Sequence, residues 1–314
     1  GVLTLFIMGI FYAALNPIIR LLQVPEETFG DMRTYLFYVF FGFFATFLYN
    51  YFSNVLRSMG NSVIPLIFLG ISVVLNVFLD LYCVLELHMG IRGAAIATVI
   101  AQTVSGIGIL LYFLIAYPEL RIQRKDMNWN KERLSTILSL SGFTCLQQSV
   151  MNFGILMVQG IVNSFGATVM AAFAVAVKID TIAYMPVQDF GNAFSVFVAQ
   201  NFGAEKKERI RRGIRSAALS VLVFCIVIST LVFTLAEPLM RIFVDRSSTE
   251  VVAVGVQYLR IEGAFYLGIG ILFLLYGYYR AVNKPLMSVV LTVVSLGTRV
   301  LLAYVLSGIT VIGV

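Results

Sequence analysis

The stretch NPIIRLL, residues 16–22, ends one long apolar run of this chain, and the similar stretch EPLMRIF, residues 237–243, ends another. The markers that come next keep the same order in both places: a Tyr-Leu pair, an arginine and a Pro-Leu pair, beginning at Tyr35, Arg57 and Pro65 in the first copy and at Tyr258, Arg280 and Pro285 in the second. The offsets between copies lie between 220 and 223 residues. A repeat at so constant an offset predicts a fold built from two related halves.

The composition indicates a membrane protein. Hydrophobic residues make up 60% of the 314 residues and charged residues only 12%, whereas soluble domains contain about 25% charged residues. Apolar runs of about 20 residues or more, long enough to cross a hydrocarbon core of about 30 Å as helices, recur along the chain. The runs are continuous and do not alternate, which favours helices over the strands of a membrane barrel. The fold class is therefore all-α and polytopic.

We predict nine spanning helices. Their ranges are 2–22, 34–56, 63–86, 92–117, 135–163, 167–201, 214–242, 251–280 and 285–309. The basic residues gather in short loops on one side, mainly in residues 118–133 and 206–215, and the loops on the other side have few of them. Because cytoplasmic loops carry an excess of Lys and Arg, this basic side is predicted to be cytoplasmic.

The repeat also predicts how the halves are related. The first predicted helix corresponds to the seventh, so an even number of crossings separates the copies and both have the same orientation in the membrane. Six helices per half then require twelve in all, and we expect two to be missing before residue 1 and one after residue 309. The predicted domains are an N-terminal bundle over 1–125, a cytoplasmic linker over 126–134 and a C-terminal bundle over 135–314. Repeated halves of this kind are typical of secondary transporters.

Polar residues in two neighbouring predicted helices form a candidate cation site. Ser72, Asn76 and Asp80 step by four residues, which places them on one helix face. The short loop at 86–91 makes the next helix antiparallel, so Thr98 is expected at the depth of Asp80, and Gln102 and Ser105 continue its face. A buried carboxylate can bind a proton, and with amide and hydroxyl oxygens it can hold Na⁺ instead. The alternative is that Asn76, Asp80 and Thr98 only join two helices by hydrogen bonds.

Four local stretches carry a family resemblance. They are YNYFSNVLRSMGNS at 49–62, NVFLD at 76–80, GAAIAT at 93–98 and QNFGAEKKER at 200–209. In order and spacing the chain resembles the multidrug and toxic compound extrusion (MATE) family. The resemblance implies an antiporter in which H⁺ or Na⁺ flows in and drives amphipathic, often cationic, organic compounds out.

The resemblance also bears on the site residues. It implies that Asn76, Asp80 and Thr98 belong to the cation-binding network, with Na⁺ at Asp80 as the one metal to consider, and that a further acidic residue lies on a helix absent from this chain. Some sodium-coupled relatives carry a glutamate near the start of the second bundle, where this chain has Asn152. That departure puts the second version of the cation site in doubt.

The second half offers a candidate substrate surface. Gln148, Asn152 and Gln159 share one face of the fifth predicted helix, and Asp180 lies in the sixth, where it either faces the cavity or bonds within the bundle. Lys178 is two residues from Asp180 and is therefore predicted to face the other way. A mostly neutral surface suits varied amphipathic cations, and ordinary helix packing is the alternative.

Other classes fit less well. No sequence motif of a hydrolase, kinase or metalloenzyme is present, so we predict no enzyme and no cofactor beyond the coupling ion. The rival is a lipid-linked oligosaccharide flippase of the same superfamily, which would line its cavity with several basic residues, whereas Lys178, Arg299 and Arg260 are the few at membrane depth. We expect as partners the lipid bilayer and small organic cations, with no nucleic acid, and a monomer in the cell membrane.

Overall fold

The structure is a computed structural model, and it describes residues 2–21, 26–121, 130–245 and 248–307. Most residues in these ranges are helical, and none is assigned to a strand. The helices are α1 (Val2–Ala13), α2 (Leu15–Leu21), α3 (Glu26–Ser58), α4 (Val63–Leu81), α5 (Gly90–Ala116), α6 (Lys131–Asn163), α7 (Ala167–Gly203), α8 (Lys207–Phe243), α9 (Thr249–Ala264), α10 (Tyr266–Ala281) and α11 (Pro285–Ser307). A π-helical turn, Tyr82–Glu86, continues α4. This confirms the all-α polytopic fold.

Seven of the described helices are long and apolar enough to cross a membrane, and the bent pair α9–α10 makes an eighth. Each of the five spans predicted between residues 63 and 242 coincides with one of these helices. α4 and its π-helical turn together begin at Val63 and end at Glu86, which are the predicted bounds. α8 begins at Lys207, seven residues before its predicted start, because its basic first turns continue the helix beyond the apolar run.

The first predicted span, 2–22, is wrong as a single helix. The structure has α1 and α2 with a break at Ala14. Pro17 explains the break, since a proline has no N–H to donate to the carbonyl of Ala13 and its ring crowds that carbonyl. The flanking bonds persist, from Ala14 N to Ile10 O at 2.8 Å and from Ile18 N to Ala14 O at 2.9 Å.

The span predicted over 251–280 is present as two helices and not as one, because α9 and α10 meet at an angle of 52° at Phe265. Two short-range bonds mark the bend, from Phe265 N to Glu262 O and from Gly268 N to Phe265 O, both at 2.9 Å. The thiol of Cys225 on α8 donates to the carbonyl of Tyr266 at 3.5 Å. A neighbouring helix thus contacts the backbone where the bend begins.

The chain divides into two compact units between Asn128 and Trp129. In the first unit α1 and α2 pack on α3, and α5 packs on both α3 and α4. The second unit is centred on α7, which packs on α8, α9 and α10, while α6 packs on α11. Markers of the sequence repeat fall at corresponding places, since Pro65 and Pro285 both lie in the first turn of their helices, α4 and α11.

Glycine allows the closest helix contacts. A Cβ on Gly191 of α7 would lie 2.8 Å from the carbonyl oxygen of Phe273 on α10. Gly106 of α5 similarly lies against the backbone of Ala45 on α3. Small residues at crossing points let helix backbones approach in membrane proteins. These crossings hold α5 and α7, which carry the candidate site residues, at fixed positions within their units.

Candidate functional site

The first candidate site lies in the N-terminal unit, between α4 and α5. The Asn76 side-chain amide donates to the Thr98 hydroxyl at 3.5 Å, and the Thr98 hydroxyl in turn donates to Ala94 O at 2.9 Å. Two antiparallel helices therefore bring these two candidate residues together, and the bond to Thr98 comes from Asn76 and not from Asp80, at whose depth Thr98 was expected. Both side chains are half-buried.

Asp80 lies one turn beyond Asn76, in the last turn of α4. Its Oδ1 atom is buried and has no hydrogen-bond partner among the described residues. Buried polar atoms are almost always paired in proteins, so an unpaired carboxylate oxygen calls for an explanation. The π-helical turn begins two residues later at Tyr82, and such turns are frequent at functional sites.

The serine hydroxyls on the same faces of α4 and α5 are used differently. Ser72 donates to the carbonyl of Ala101 at 3.0 Å, which joins α4 to α5. Ser105 donates to the carbonyl of Gln102 in its own helix at 3.1 Å. These hydroxyls therefore hold helices together or bond within one helix, whereas the Asp80 carboxylate has an oxygen left over.

In the second unit, the predicted substrate residues separate into two groups. Gln148 and Asn152 are exposed on α6. Gln159 is half-buried and donates to Asn163 in the same helix at 2.9 Å. Asp180, by contrast, is buried inside the unit with 6% of its surface exposed. Lys178 is exposed, in line with the predicted opposite orientation of the two side chains.

Asp180 belongs to a charged cluster whose members come from four helices. The guanidinium of Arg299 on α11 lies 3.5 Å from the carboxylate of Glu262 and 3.4 Å from the hydroxyl of Tyr258, both on α9. Asp180 on α7 and Tyr266 on α10 interact with each other and with this group. Neither Asp180 Oδ1 nor the Tyr266 hydroxyl makes a hydrogen bond of standard geometry.

The cluster borders a cavity of about 60 Å³ in the second unit. Polar groups of Asp180, Thr181, Tyr184, Tyr258 and Arg299 line it, together with apolar residues of α6 and α11. A water molecule takes up about 30 Å³ in the liquid, so the cavity has room for a few waters. In this structure the cavity is smaller than typical pockets for organic ligands, which measure about 300–1,000 Å³.

Sequence reasoning named three of the five members of this cluster but not their association. Asp180 and Arg299 were identified as charged residues in predicted helices, and Tyr258 only as a marker of the repeat. The available signal was that a charged residue in a span needs a partner. No three of the His, Cys, Asp and Glu side chains that the structure describes are grouped as a metal site would require.

Comparison with known proteins decides the family. The MatE family profile matches residues 1–82 and 143–305, which is well over half of the chain. The chain belongs to the MatE family. Both units contain matched segments, and the first matched segment includes Asn76 and Asp80.

Two curated relatives are similar over most of this MatE chain. One is the probable multidrug resistance protein YpnP of Bacillus subtilis, 33% identical over 290 residues, which cover 91% of the chain and 63% of the relative. Another is the probable multidrug resistance protein NorM of Thermotoga maritima, 26% identical over 310 residues, which cover 95% of the chain and 66% of the relative. The chain thus spans about two thirds of the length of these relatives.

Solved structures agree in fold. A mutant of the Vibrio cholerae MATE transporter VcmN superposes with a TM-score of 0.93 at 24% identity, covering 100% of this chain and 71% of the other. A transporter of the MOP superfamily from Pyrococcus furiosus also gives a TM-score of 0.93, at 19% identity, covering 100% of this chain and 70% of the other. The MatE chain is therefore a multi-pass membrane protein of the MATE transporter fold.

Proposed function

We propose that this chain is the larger part of a cation-coupled antiporter that exports amphipathic organic compounds across the cell membrane. The observation that carries the proposal is the buried, unpaired Oδ1 atom of Asp80 beside the Asn76–Thr98 hydrogen bond. An isolated carboxylate in a low-dielectric position is stable only if it binds a proton or a cation. Asp80 is thus the coupling residue in this proposal.

The second charged cluster supports this choice by contrast. The Glu262 carboxylate already has a positively charged partner, because the Arg299 guanidinium lies 3.5 Å away. Asp80 has no such counter-charge, since the ion pairs among the described residues are Arg241–Glu237 and Arg299–Glu262. A carboxylate that already has a fixed partner is less available to a transported ion. Coupling through the N-terminal unit follows from this difference.

Either H⁺ or Na⁺ fits the chemistry at Asp80. A proton would neutralise the carboxylate directly. Na⁺ would need several oxygen ligands, which Asp80, the Asn76 amide carbonyl and the Thr98 hydroxyl could begin to supply. In both cases binding changes the charge at the junction between α4 and the π-helical turn, and that junction is the element we propose to rearrange during transport.

The exported compounds are proposed from the relatives, which are named as multidrug resistance proteins. Gln148 and Asn152 present neutral amides on the exposed side of α6, and such a surface accepts varied amphipathic cations without a fixed charge partner. We propose this face, with Gln159 at its end, as part of the substrate path, in a monomer that works without an organic cofactor. Asp180 is the exception, because its cavity holds only a few waters.

A transport assay tests the proposal. The complete reading frame that contains this chain is expressed in bacteria that lack their main efflux pumps, and efflux of a fluorescent organic cation is measured. Asp80→Asn should reduce efflux to the background of the empty vector, because the amide can neither take up a proton nor neutralise Na⁺. Asp31→Asn is the matched control, since Asp31 is exposed on α3 of the same unit. Both variants must be present in the membrane in equal amounts.

Undiminished efflux by the Asp80→Asn variant would contradict the coupling role of Asp80. The flippase alternative is tested with the same proteins by following a fluorescent undecaprenyl-linked sugar in reconstituted vesicles. That function requires several free basic groups. Of the three basic residues named at membrane depth, Arg299 faces Glu262, Arg260 lies 5.4 Å from the ring centre of Phe233, and Lys178 is exposed. Flipping of the labelled lipid without efflux of the cation would replace the exporter by the flippase.

A further inference from the structure

The basic cluster at the start of α8 is unexplained by the transport proposal. It consists of Lys206, Lys207, Arg209, Arg211, Arg212 and Arg215. The same segment, residues 205–215, contains two acidic residues, Glu205 and Glu208. Its formal charge is therefore +4, compared with +6 for the whole chain. All six side chains are exposed, and no hydrogen bond or ion pair of their side chains joins them to other described residues.

The cluster has a defined orientation because the other side of the helix is packed. Ile210 and Ala217 are buried against α7 and α10 in one apolar core. Residues two apart on a helix point in nearly opposite directions, about 200° apart. Arg212 therefore points away from the side of Ile210, and Arg215 away from the side of Ala217. The three arginines at 211, 212 and 215 face outward from the second unit.

The same outward face continues as an apolar stripe. Leu219, Leu222 and Ile226 follow Arg215 by 4, 7 and 11 residues, the spacing of one helix face. Their exposed fractions are 61%, 36% and 55%. From Arg215 to Ile226 the helix rises by about 16 Å, which is about half of a hydrocarbon core of roughly 30 Å. Arg215 and the stripe together therefore span about the depth of one leaflet. Positive charge and an apolar stripe thus follow one another along the outward face of α8, from its first turns toward its middle.

We propose that the α8 basic cluster and the stripe below it bind an anionic phospholipid. The guanidinium groups of Arg211, Arg212 and Arg215 would contact the lipid phosphate, for which arginine is well suited as a bidentate donor. The acyl chains would lie along Leu219, Leu222 and Ile226. A lipid is the occupant that matches both parts, because a soluble anion would use only the charges and a neutral lipid only the stripe. The site goes beyond the transport activity and does not depend on it.

Native mass spectrometry of the purified full-length protein tests the site, with phosphatidylglycerol and phosphatidylcholine added in equal amounts. The wild type should retain phosphatidylglycerol in preference. Arg211→Gln with Arg215→Gln should weaken that retention by roughly 30-fold, since each basic residue near an anionic membrane contributes about a fivefold factor in affinity. Lysine at both positions should keep most of it, because the charge stays.

The matched control is Lys131→Gln with Arg133→Gln, which removes two exposed basic residues from the start of α6. This pair should retain phosphatidylglycerol as the wild type does. An equal loss in both double variants would show general charge attraction and overturn the site. Equal retention of the two lipids by the wild type would overturn it as well.

A second measurement uses the wild type alone and so does not depend on how the variants insert. A photo-crosslinkable phosphatidylglycerol is incorporated into vesicles with the protein, and the crosslinked peptides are identified. Crosslinks should map to residues 206–226, and glycerol phosphate in excess should not displace them. Crosslinks confined to other segments, or full displacement by glycerol phosphate, would contradict a lipid at this site.

Discussion

Exchanging Gly191 for alanine should lower the thermal stability of the second unit. Gly191 lies where α7 crosses α10, and a Cβ there would be 2.8 Å from the carbonyl oxygen of Phe273 and 3.1 Å from its carbonyl carbon. Both neighbours are backbone atoms and cannot turn aside. Ordinary carbon contacts are about 3.5–4.0 Å long, so the two helices would have to separate by several tenths of an ångström along much of their contact.

The magnitude follows from two opposing effects. Overpacking a tight contact by one methyl group costs about 1–3 kcal/mol, and alanine is favoured over glycine in a helix by up to about 1 kcal/mol. The net loss for Gly191→Ala is therefore about 1 kcal/mol. For a unit of this size that corresponds to about 2–4 °C in the apparent midpoint of thermal unfolding.

Gly297→Ala provides the matched control. Gly297 lies in the interior of α11, and no atom comes within 4 Å of a Cβ built there. The same substitution should leave the midpoint unchanged or raise it, because only the helix propensity remains. The assay is size-exclusion chromatography of the detergent-solubilised protein after heating to a series of temperatures. Equal midpoints for the two variants would refute the steric argument.

Two further predictions concern polar groups within the units. Ser53 is 2% exposed and its hydroxyl has no partner among the described residues. Ser53→Ala should therefore leave the free energy of unfolding unchanged or raise it by up to about 1 kcal/mol. A clear drop in the unfolding midpoint would show that the hydroxyl does make a stabilising hydrogen bond. Glu262→Gln and Arg299→Gln should each lower the midpoint by leaving one charge unpaired, and the double variant should lose less than the sum, with a coupling of about 0.5–3 kcal/mol. Additive losses in this double-mutant cycle would mean that the ion pair contributes nothing.

Sequence reasoning predicted the fold well where apolar length alone decides the outcome. The spans from α4 to α8 agree with the predicted ranges because each has a continuous apolar run between polar loops. α3 shows the limit of that signal. It begins at Glu26, eight residues before the predicted start, because its charged first turns form helix without being apolar. Hydropathy marks the membrane-embedded part of a helix and not its ends.

The bend at Phe265 could not be predicted from local sequence. Proline explains the break between α1 and α2, and it was visible as Pro17. No proline lies near Phe265, and the bend is accompanied by a contact from Cys225, 41 residues away from Tyr266 in the chain. Such tertiary contacts have no local signature.

The candidate sites also differ in whether local sequence or tertiary packing determines their contacts. The short loop between α4 and α5 correctly indicated that Thr98 faces the polar side of α4, but Thr98 was expected at the depth of Asp80 and instead bonds to Asn76, one turn away. The pairing of Glu262 with Arg299 joins α9 to α11 and depends on how three helices pack. The role of Asp80 in transport is a prediction that the efflux assay addresses, and the roles of Gln148 and Asn152 remain predictions.

The Glu262–Arg299 ion pair has a consequence for how the protein enters the bilayer during synthesis. Glu262 leaves the ribosome 37 residues before its partner, so α9 reaches the translocon while its carboxylate is still without the guanidinium. An unpaired charge at the centre of a spanning helix costs about 2.5–3.5 kcal/mol on insertion. α9 should therefore wait beside the translocon until α11 emerges, and the two helices should pass into lipid together.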